Sequence, residues 1–182
     1  MRYTTTPSPL GEVLLGFDDA ALLGLWFRGQ KDEPTVGEGW VRDGAHPVGV
    51  DAAARVARYF DGVEEPFDLP IRLRGTPFQV AVWEALRAIP RGETIAYAEL
   101  ARHVGTPAAV RAVGAAVGRN PVSIFVPCHR VVGSDGALTG YAGGLPRKTY
   151  LLRLEGALGV DGRVRRRTSD GAQAPLSFEP RA

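Results

Sequence analysis

Short apolar runs separated by turn residues occupy the start of the chain. Tyr3 to Thr6, Glu12 to Phe17 and Leu22 to Phe27 have the length and composition of strands. Pro7 to Gly11 and Asp18-Asp19 separate them as turns, so residues 1–27 predict a small antiparallel sheet. Residues 37–47 read as loop. The period then changes: with Asp51 as N-cap, Ala54, Val56, Ala57 and Phe60 fall broadly on one side of a helix. Residues 62–70, rich in acids and prolines, form a connector, and the domain boundary lies within 65–75.

The second half is dominated by helical spacing. Thr76-Pro77 is an N-cap followed by proline at the first helical position, and Phe78, Val82, Ala85 and Leu86 then recur at i, i+4, i+7 and i+8, giving a helix to about Ala88. After a Pro90-Arg91-Gly92 turn come Tyr97 to Gly105, a Thr106-Pro107 break, and Ala108 to Gly118. Two helices so joined are either a helix-turn-helix or a plain αα-hairpin within a core. Ala108, Ala109, Ala112, Gly114, Ala115 and Ala116 make the second helix thin, and Arg111 is its long polar side chain before Arg119. A thin helix with one projecting arginine suits a shallow approach to a minor groove roughly 6 Å wide better than base reading in the major groove. The fold class is therefore an α/β N-terminal domain (1–70), a small antiparallel sheet plus helix, followed by a mostly α C-terminal domain (71–157) that carries this helix-turn-helix or αα-hairpin. The tail 158–182, with its Arg163 to Arg167 basic run and Ser/Pro/Gly-rich end, is expected to be mobile.

Composition narrows the class. A 45% hydrophobic content over 182 residues supplies real cores. Residues 1–30 lack the order of a signal peptide and no apolar run approaches the roughly 18 residues of a membrane span, so a cytoplasmic protein with no membrane partner is expected. The single cysteine cannot form an intramolecular disulfide, and with three scattered histidines (His46, His103, His129) it makes a poor zinc set; no metal and no cofactor are expected. The overall charge of +2 conceals an asymmetry: residues 1–90 carry 9 basic and 13 acidic side chains, residues 91–168 carry 12 and 5. A basic C-terminal half fits a polyanionic partner as well as it fits an ordinary solvated face.

The lone thiol sits in Ile124-Phe-Val-Pro-Cys128-His129-Arg-Val-Val132. A cysteine in an apolar segment is commonly inert. Here Pro127 biases Val126 toward extended geometry, which predicts that Ser123 to Val126 is a buried strand delivering Cys128 at its end. His129 is a base whose proton affinity lies near neutrality. A phosphatase loop would need arginine where Ser134 stands, and a Walker loop would need glycine where Arg147 stands. A cysteine hydrolase remains open.

Pro127-Cys-His-Arg-Val131, preceded by Gly118-Arg-Asn-Pro121 and followed by Gly140-Tyr-Ala-Gly-Gly-Leu145 and Leu151-Leu-Arg-Leu-Glu-Gly156, closely resembles the O6-alkylguanine-DNA alkyltransferases, or methylated-DNA-protein-cysteine methyltransferases. The resemblance covers about residues 70–157; residues 1–65 match in general character only. It implies a ribonuclease-H-like first domain and irreversible, stoichiometric transfer of an alkyl group from O6-alkylguanine, and from O4-alkylthymine, in double-stranded DNA to Cys128. It implies that His129 acts on the thiol through a water, that Glu155 holds the other imidazole nitrogen, and that Tyr97 helps rotate the nucleotide and donates a proton to guanine N3. DNA would be met through the minor groove by Ala109, Arg111 and Gly114, with Arg111 filling the space of the flipped base. Tyr141 and Gly143 would wall the pocket, the carbonyls of Cys128 and Val131 would accept from the exocyclic amine, and Asn120 would tie the second helix to the thiol segment. A monomer is implied in the absence of DNA, in a bacterial or archaeal type of protein. Ala142 departs from members with a serine there, so a contact to the alkylated oxygen must come from backbone N–H groups or be absent. Two rivals are a DNA-binding regulator, which needs no thiol, and a cysteine hydrolase, which turns over repeatedly.

Overall fold

The computed structural model describes residues 1–64 and 68–165. Strands β1 (Arg2–Thr6), β2 (Val13–Phe17) and β3 (Leu22–Phe27) pair antiparallel in the order β3-β2-β1. A two-residue strand, β4 (Val41–Arg42), adds parallel to β1, so the sheet is mixed and residues 37–47 are not all loop. Two exposed residues carry no periodicity from which that strand could be read. Alternation places Val13, Leu15, Phe17, Leu22, Leu25 and Phe27 in the core. Leu14 and Trp26 turn to the other face, where Trp40 lies 6.5 Å from Trp26. The Trp26 ring crosses Gly24, where a Cβ would come within 1.7 Å of it.

Helix α1 (Pro47–Phe60) packs on the core face and starts before the predicted Asp51. His46 is the N-cap, its ring nitrogen accepting from the Val48 N–H at 3.3 Å, with Pro47 at the first helical position; Asp51 lies inside the helix, paired with Arg55. Histidine is not among the strong capping residues, so the signal was weak. Gly49 brings the helix close to the sheet: a Cβ there would meet the Phe17 ring at 2.7 Å.

In the second half, α2 (Pro77–Arg87) begins with the Thr76–Gln79 capping box, as the Thr76-Pro77 pair predicts. Then follow β5 (Ile95–Ala96), α3 (Tyr97–His103), α4 (Val110–Gly118), a 3-10 turn (Cys128–Arg130), β6 (Val131–Val132) and α5 (Leu145–Leu154). Gly105, at φ 73°, turns the chain between α3 and α4 in the left-handed region. Trp83 of α2 donates its indole N–H to the Ala116 carbonyl at 2.8 Å, fixing α4 on α2.

One core runs through both halves. The outer edge of β3 joins them: Leu22 N–H donates to Pro70 O and Leu25 N–H to Pro121 O, each at 2.9 Å, making single parallel bridges to Ile71 and Val122. Residues 65–67 of the expected boundary region lie outside the described residues, as do 166–182 of the expected tail. Residues 157–165 double back, with Leu158 bridging Val164 and Arg165 N–H donating to Ala157 O at 2.7 Å.

Candidate active site

The Ser123 to Val126 segment is a series of tight turns, not the expected strand. Phe125 N–H donates to Ser123 O, Val126 N–H to Val122 O and Cys128 N–H to Val126 O, at 2.8–2.9 Å, and Ile124 stands at φ 71°. A left-handed β-branched residue costs roughly 1–3 kcal/mol. Ile124 is fully buried, so its packing offsets that cost. Asn120 takes the place of a neighbouring strand. Its Oδ1 accepts from Val122 N–H (3.0 Å), and its Nδ2 donates to Val126 O (2.7 Å) and to Cys128 Sγ (3.0 Å). An apolar run buried on all sides reads the same whether it is strand or coiled turn, which is why the sequence misled here.

Beyond the thiol, β6 pairs in parallel with β5, Ile95 with Val131 and Ala96 with Val132. That pairing places Tyr97, the next residue after β5, against the Cys128 turn. Gly114 of α4 faces the Tyr97 ring, 3.8 Å from where its Cβ would stand. Ala109 caps α4, and Arg111 on its first turn is exposed, as are Ala112 and Ala115.

Glu155, capping the C-terminus of α5, is the hub of a buried polar cluster. Its Oε1 meets His129 Nε2 at 2.8 Å and accepts from Arg130 at 2.9 Å and from the Tyr59 hydroxyl at 2.7 Å; its Oε2 accepts from Arg130 Nε at 2.8 Å. Burial works to raise the Glu155 carboxyl, but the charge and hydrogen bonds of His129 and Arg130 outweigh it and hold the group well below the carboxylate range. An ionised carboxylate only accepts, so neutral His129 carries its proton on Nε2 and presents an unprotonated Nδ1. Nδ1 is buried and bonds to no described residue. Burial depresses the proton affinity of His129, and the nearby charges of Arg130 and Lys148 add to this against the pull of Glu155.

Burial pushes the Cys128 thiol up, while the Asn120 amide and the charge of Lys148 draw it back toward the thiolate. Lys148 is fully buried on α5, donating to Val131 O (2.6 Å) and Thr139 O (2.7 Å); burial lowers it to about 8. The two carbonyls expected to receive an exocyclic amine thus already have one partner each: Cys128 O accepts from Val131 N–H, and Val131 O from Lys148. A carbonyl has a second lone pair for another donor. Burial and the Cys128 charge push Tyr97 up to about 12, so it is a protonated donor; its hydroxyl donates to Gly140 O at 3.3 Å.

Tyr141 lies against the thiol, its acidity suppressed first by burial and then by the Cys128 charge. Gly143 makes room for it, since a Cβ there would stand 2.6 Å from the Tyr141 ring. The first half of the chain holds this loop: Lys31 N–H donates to Ala142 O (3.0 Å), and Arg147 bridges Gly143 O, Leu10 O and Arg28 O while its guanidinium stacks over Phe27. The fold thus gathers Cys128, His129, Glu155, Asn120, Val131, Tyr97, Tyr141 and Gly143 about one thiol, with Ala109, Arg111 and Gly114 on the neighbouring helix. Sequence reasoning missed Arg130, Lys148 and Tyr59. The motif containing Arg130 could have flagged it, but nothing local marks the other two.

Comparisons with known proteins find matches over both halves of the chain. The model described as "6-O-methylguanine DNA methyltransferase, ribonuclease-like domain" matches residues 1–73, and that for the DNA binding domain matches residues 77–157. A methylated-DNA–protein-cysteine methyltransferase of Methanosarcina acetivorans is 44% identical over 157 residues, covering 86% of this chain and 99% of its own. The constitutive protein of that name from Bacillus subtilis is 45% identical, covering 84% and 94%. The crystal structure of Mycobacterium tuberculosis OGT in complex with DNA superposes with a TM-score of 0.79 at 44% identity, covering 86% of this chain and 93% of that one.

Proposed function

Starting from the premise that the chain belongs to the 6-O-methylguanine DNA methyltransferase family, we propose a role for each residue around its thiol. The protein repairs DNA by transferring an alkyl group from an alkylated base to one of its own cysteines, and with one cysteine in the sequence the acceptor is Cys128. The observation that carries the assignment is the convergence of Asn120 on Sγ and of Glu155 on His129, within one buried cluster.

His129 Nδ1 takes the thiol proton through a water, and Glu155 stabilises the imidazolium that results. The thiolate, steadied by the Asn120 amide and Lys148, attacks the saturated carbon of the alkyl group. The S–C bond forms as the C–O6 bond breaks, the electron pair leaves on the base, and Tyr97 supplies a proton to guanine N3. A thioether is a poor leaving group, so each molecule acts once. O4-alkylthymine presents the same reacting atoms and is the second substrate.

The target base must leave the stack to reach a buried thiol, at a cost of a few kcal/mol. The exposed, small-residue face of α4 fits the minor groove, with Arg111 entering the vacated space and Ala109 and Gly114 allowing close approach. Tyr141 and Gly143 wall the pocket, and Val131 O and Cys128 O receive the exocyclic amine beside their present donors. The protein acts as a monomer before it meets DNA, in the cytoplasm where the chromosome of a bacterial or archaeal cell is found. Incubation with duplex DNA carrying labelled O6-methylguanine tests this reading: label should move to protein, saturate near one equivalent and be absent in Cys128→Ala. Label released to water, or several equivalents turned over, would refute it.

A further inference from the structure

Glu155 Oε1 is shared by three donors from two parts of the chain. His129 and Arg130 come from the active-site turn, but the third, the Tyr59 hydroxyl at 2.7 Å, comes from α1 in the other half, 96 residues away in sequence. Tyr59 is 1% exposed and buried against the core, so this hydroxyl is not incidental surface contact. We infer that Tyr59 is a positioning residue of the relay: by taking a share of Oε1 it limits the pull of Glu155 on the imidazole and keeps His129 an unprotonated base until the thiol proton arrives.

The inference rests on the His129–Glu155 relay proposed above. A buried imidazole facing an undivided carboxylate would be held as imidazolium, and an imidazolium has no lone pair with which to accept the thiol proton. With His129 neutral, Arg130 is the charged partner of Glu155, and it is fixed by a further bond to Ile89 O at 2.5 Å. Tyr59 supplies a neutral donor that must point at Oε1, because an ionised carboxylate accepts only. Burial and the Glu155 charge hold its phenol well above the usual tyrosine range, so it remains a donor.

The other charged and titratable groups of the cluster come from each packed element. Arg91, from the turn after α2, stacks 5.2 Å over the Tyr59 ring, Cys128 and Arg130 belong to the 3-10 turn, Tyr141 to the glycine-rich loop and Lys148 to α5. Of these, Arg130 also donates to Oε1, as a cation; Tyr59 donates there as a neutral group from the first half of the chain. Through this bond the first half of the chain reaches the catalytic base without touching substrate.

The test is the pH dependence of single-turnover methyl transfer from duplex DNA, measured for the full-length protein and for Tyr59→Phe, Val56→Ala and His129→Asn. Tyr59→Phe keeps the ring and removes only the donor. Its acid limb should move to higher pH, so that at a pH on the wild-type limb the rate relative to its own plateau falls by about threefold, in line with half a unit of proton affinity. Val56→Ala opens the core of the same helix without touching Glu155 and should leave the limb in place. An unmoved limb in Tyr59→Phe, or an equal movement in Val56→Ala, overturns the inference while leaving the relay intact. Persistence of the wild-type limb in His129→Asn overturns the relay, and the inference with it.

Discussion

Replacing Asn120 by alanine tests how the thiol is mounted. The substitution orphans Val122 N–H, bonded now at 3.0 Å in a fully buried segment, and leaves Val126 O, bonded to the amide at 2.7 Å, with Cys128 N–H as its other donor. A buried donor left without a partner costs about 1–3 kcal/mol and a lost hydrogen bond about 0.5–1.5 kcal/mol, so the two together cost about 1.5–4.5 kcal/mol. A domain has about 5–15 kcal/mol in all, so the variant should fold but unfold at visibly lower urea. The third loss is the 3.0 Å bond to Cys128 Sγ. A hydrogen bond to a charged group is worth about 1.5–3 kcal/mol, so the thiolate becomes rarer and the transfer rate constant falls roughly tenfold to hundredfold per folded molecule. Urea unfolding measures the first effect. Single-turnover transfer with excess protein, at a temperature where the variant is shown to be folded, measures the second. A midpoint equivalent to within about 0.5 kcal/mol of wild type would refute the mounting argument. A large loss of stability with an unchanged rate would keep the mount and refute the claim that the amide steadies the thiolate.

Three further expectations follow from the cluster and the helix beside it. Arg130→Met leaves Glu155 buried without its arginine partner, and should cost about 3–5 kcal/mol in urea unfolding; a loss below 1 kcal/mol would show the pair to be dispensable. Glu155 lies below its ordinary value of 4.5 when folded, so its contribution to stability is fully present above that pH and is lost as pH falls. The urea midpoint should therefore drop between pH 6 and 3, and a flat profile would contradict the assignment. Arg111→Ala, at an exposed position, should leave the melting temperature within about 2 °C of wild type while slowing transfer from duplex DNA at least tenfold more than transfer from a free O6-alkylguanine base; equal slowing on both substrates would remove Arg111 from the stack.

What could be read from the sequence divides along physical lines. Strands β1 to β3 and helix α2 were legible because their apolar spacing and turn or cap residues are local signals, as the Thr76–Gln79 box shows. The thiol, its histidine and Glu155 were legible because several separated motifs agree in order. The start of α1 was not, because His46 caps weakly and Pro47-Val48-Gly49 has the composition of a loop. The shape of residues 123–126 was hidden because total burial erases the alternation that separates a strand from a turn. Tyr59 and Lys148 were invisible for a different reason. A tyrosine in an amphipathic helix and a lysine in the basic stretch Pro146-Arg-Lys-Thr149 look like core and surface, and only the tertiary fold turns one toward Glu155 and seals the other behind Val131.

The outer edge of β3 has a bearing on redesign. Its outward N–H groups are all taken, Leu22 by Pro70, Leu25 by Pro121 and Phe27 by the Gln30 side chain, so the Leu22–Phe27 run offers no open ladder to a second chain. An uncovered edge of that composition invites association between molecules. Part of the cover is the Pro121–Ser123 stretch that leads into the thiol. Any attempt to widen the site for bulkier alkyl groups by loosening that stretch would also unlatch the sheet, trading substrate range against solubility. Light scattering at assay concentration should be measured alongside activity for every such variant, and a roomier variant that stays monodisperse would show the two can be separated.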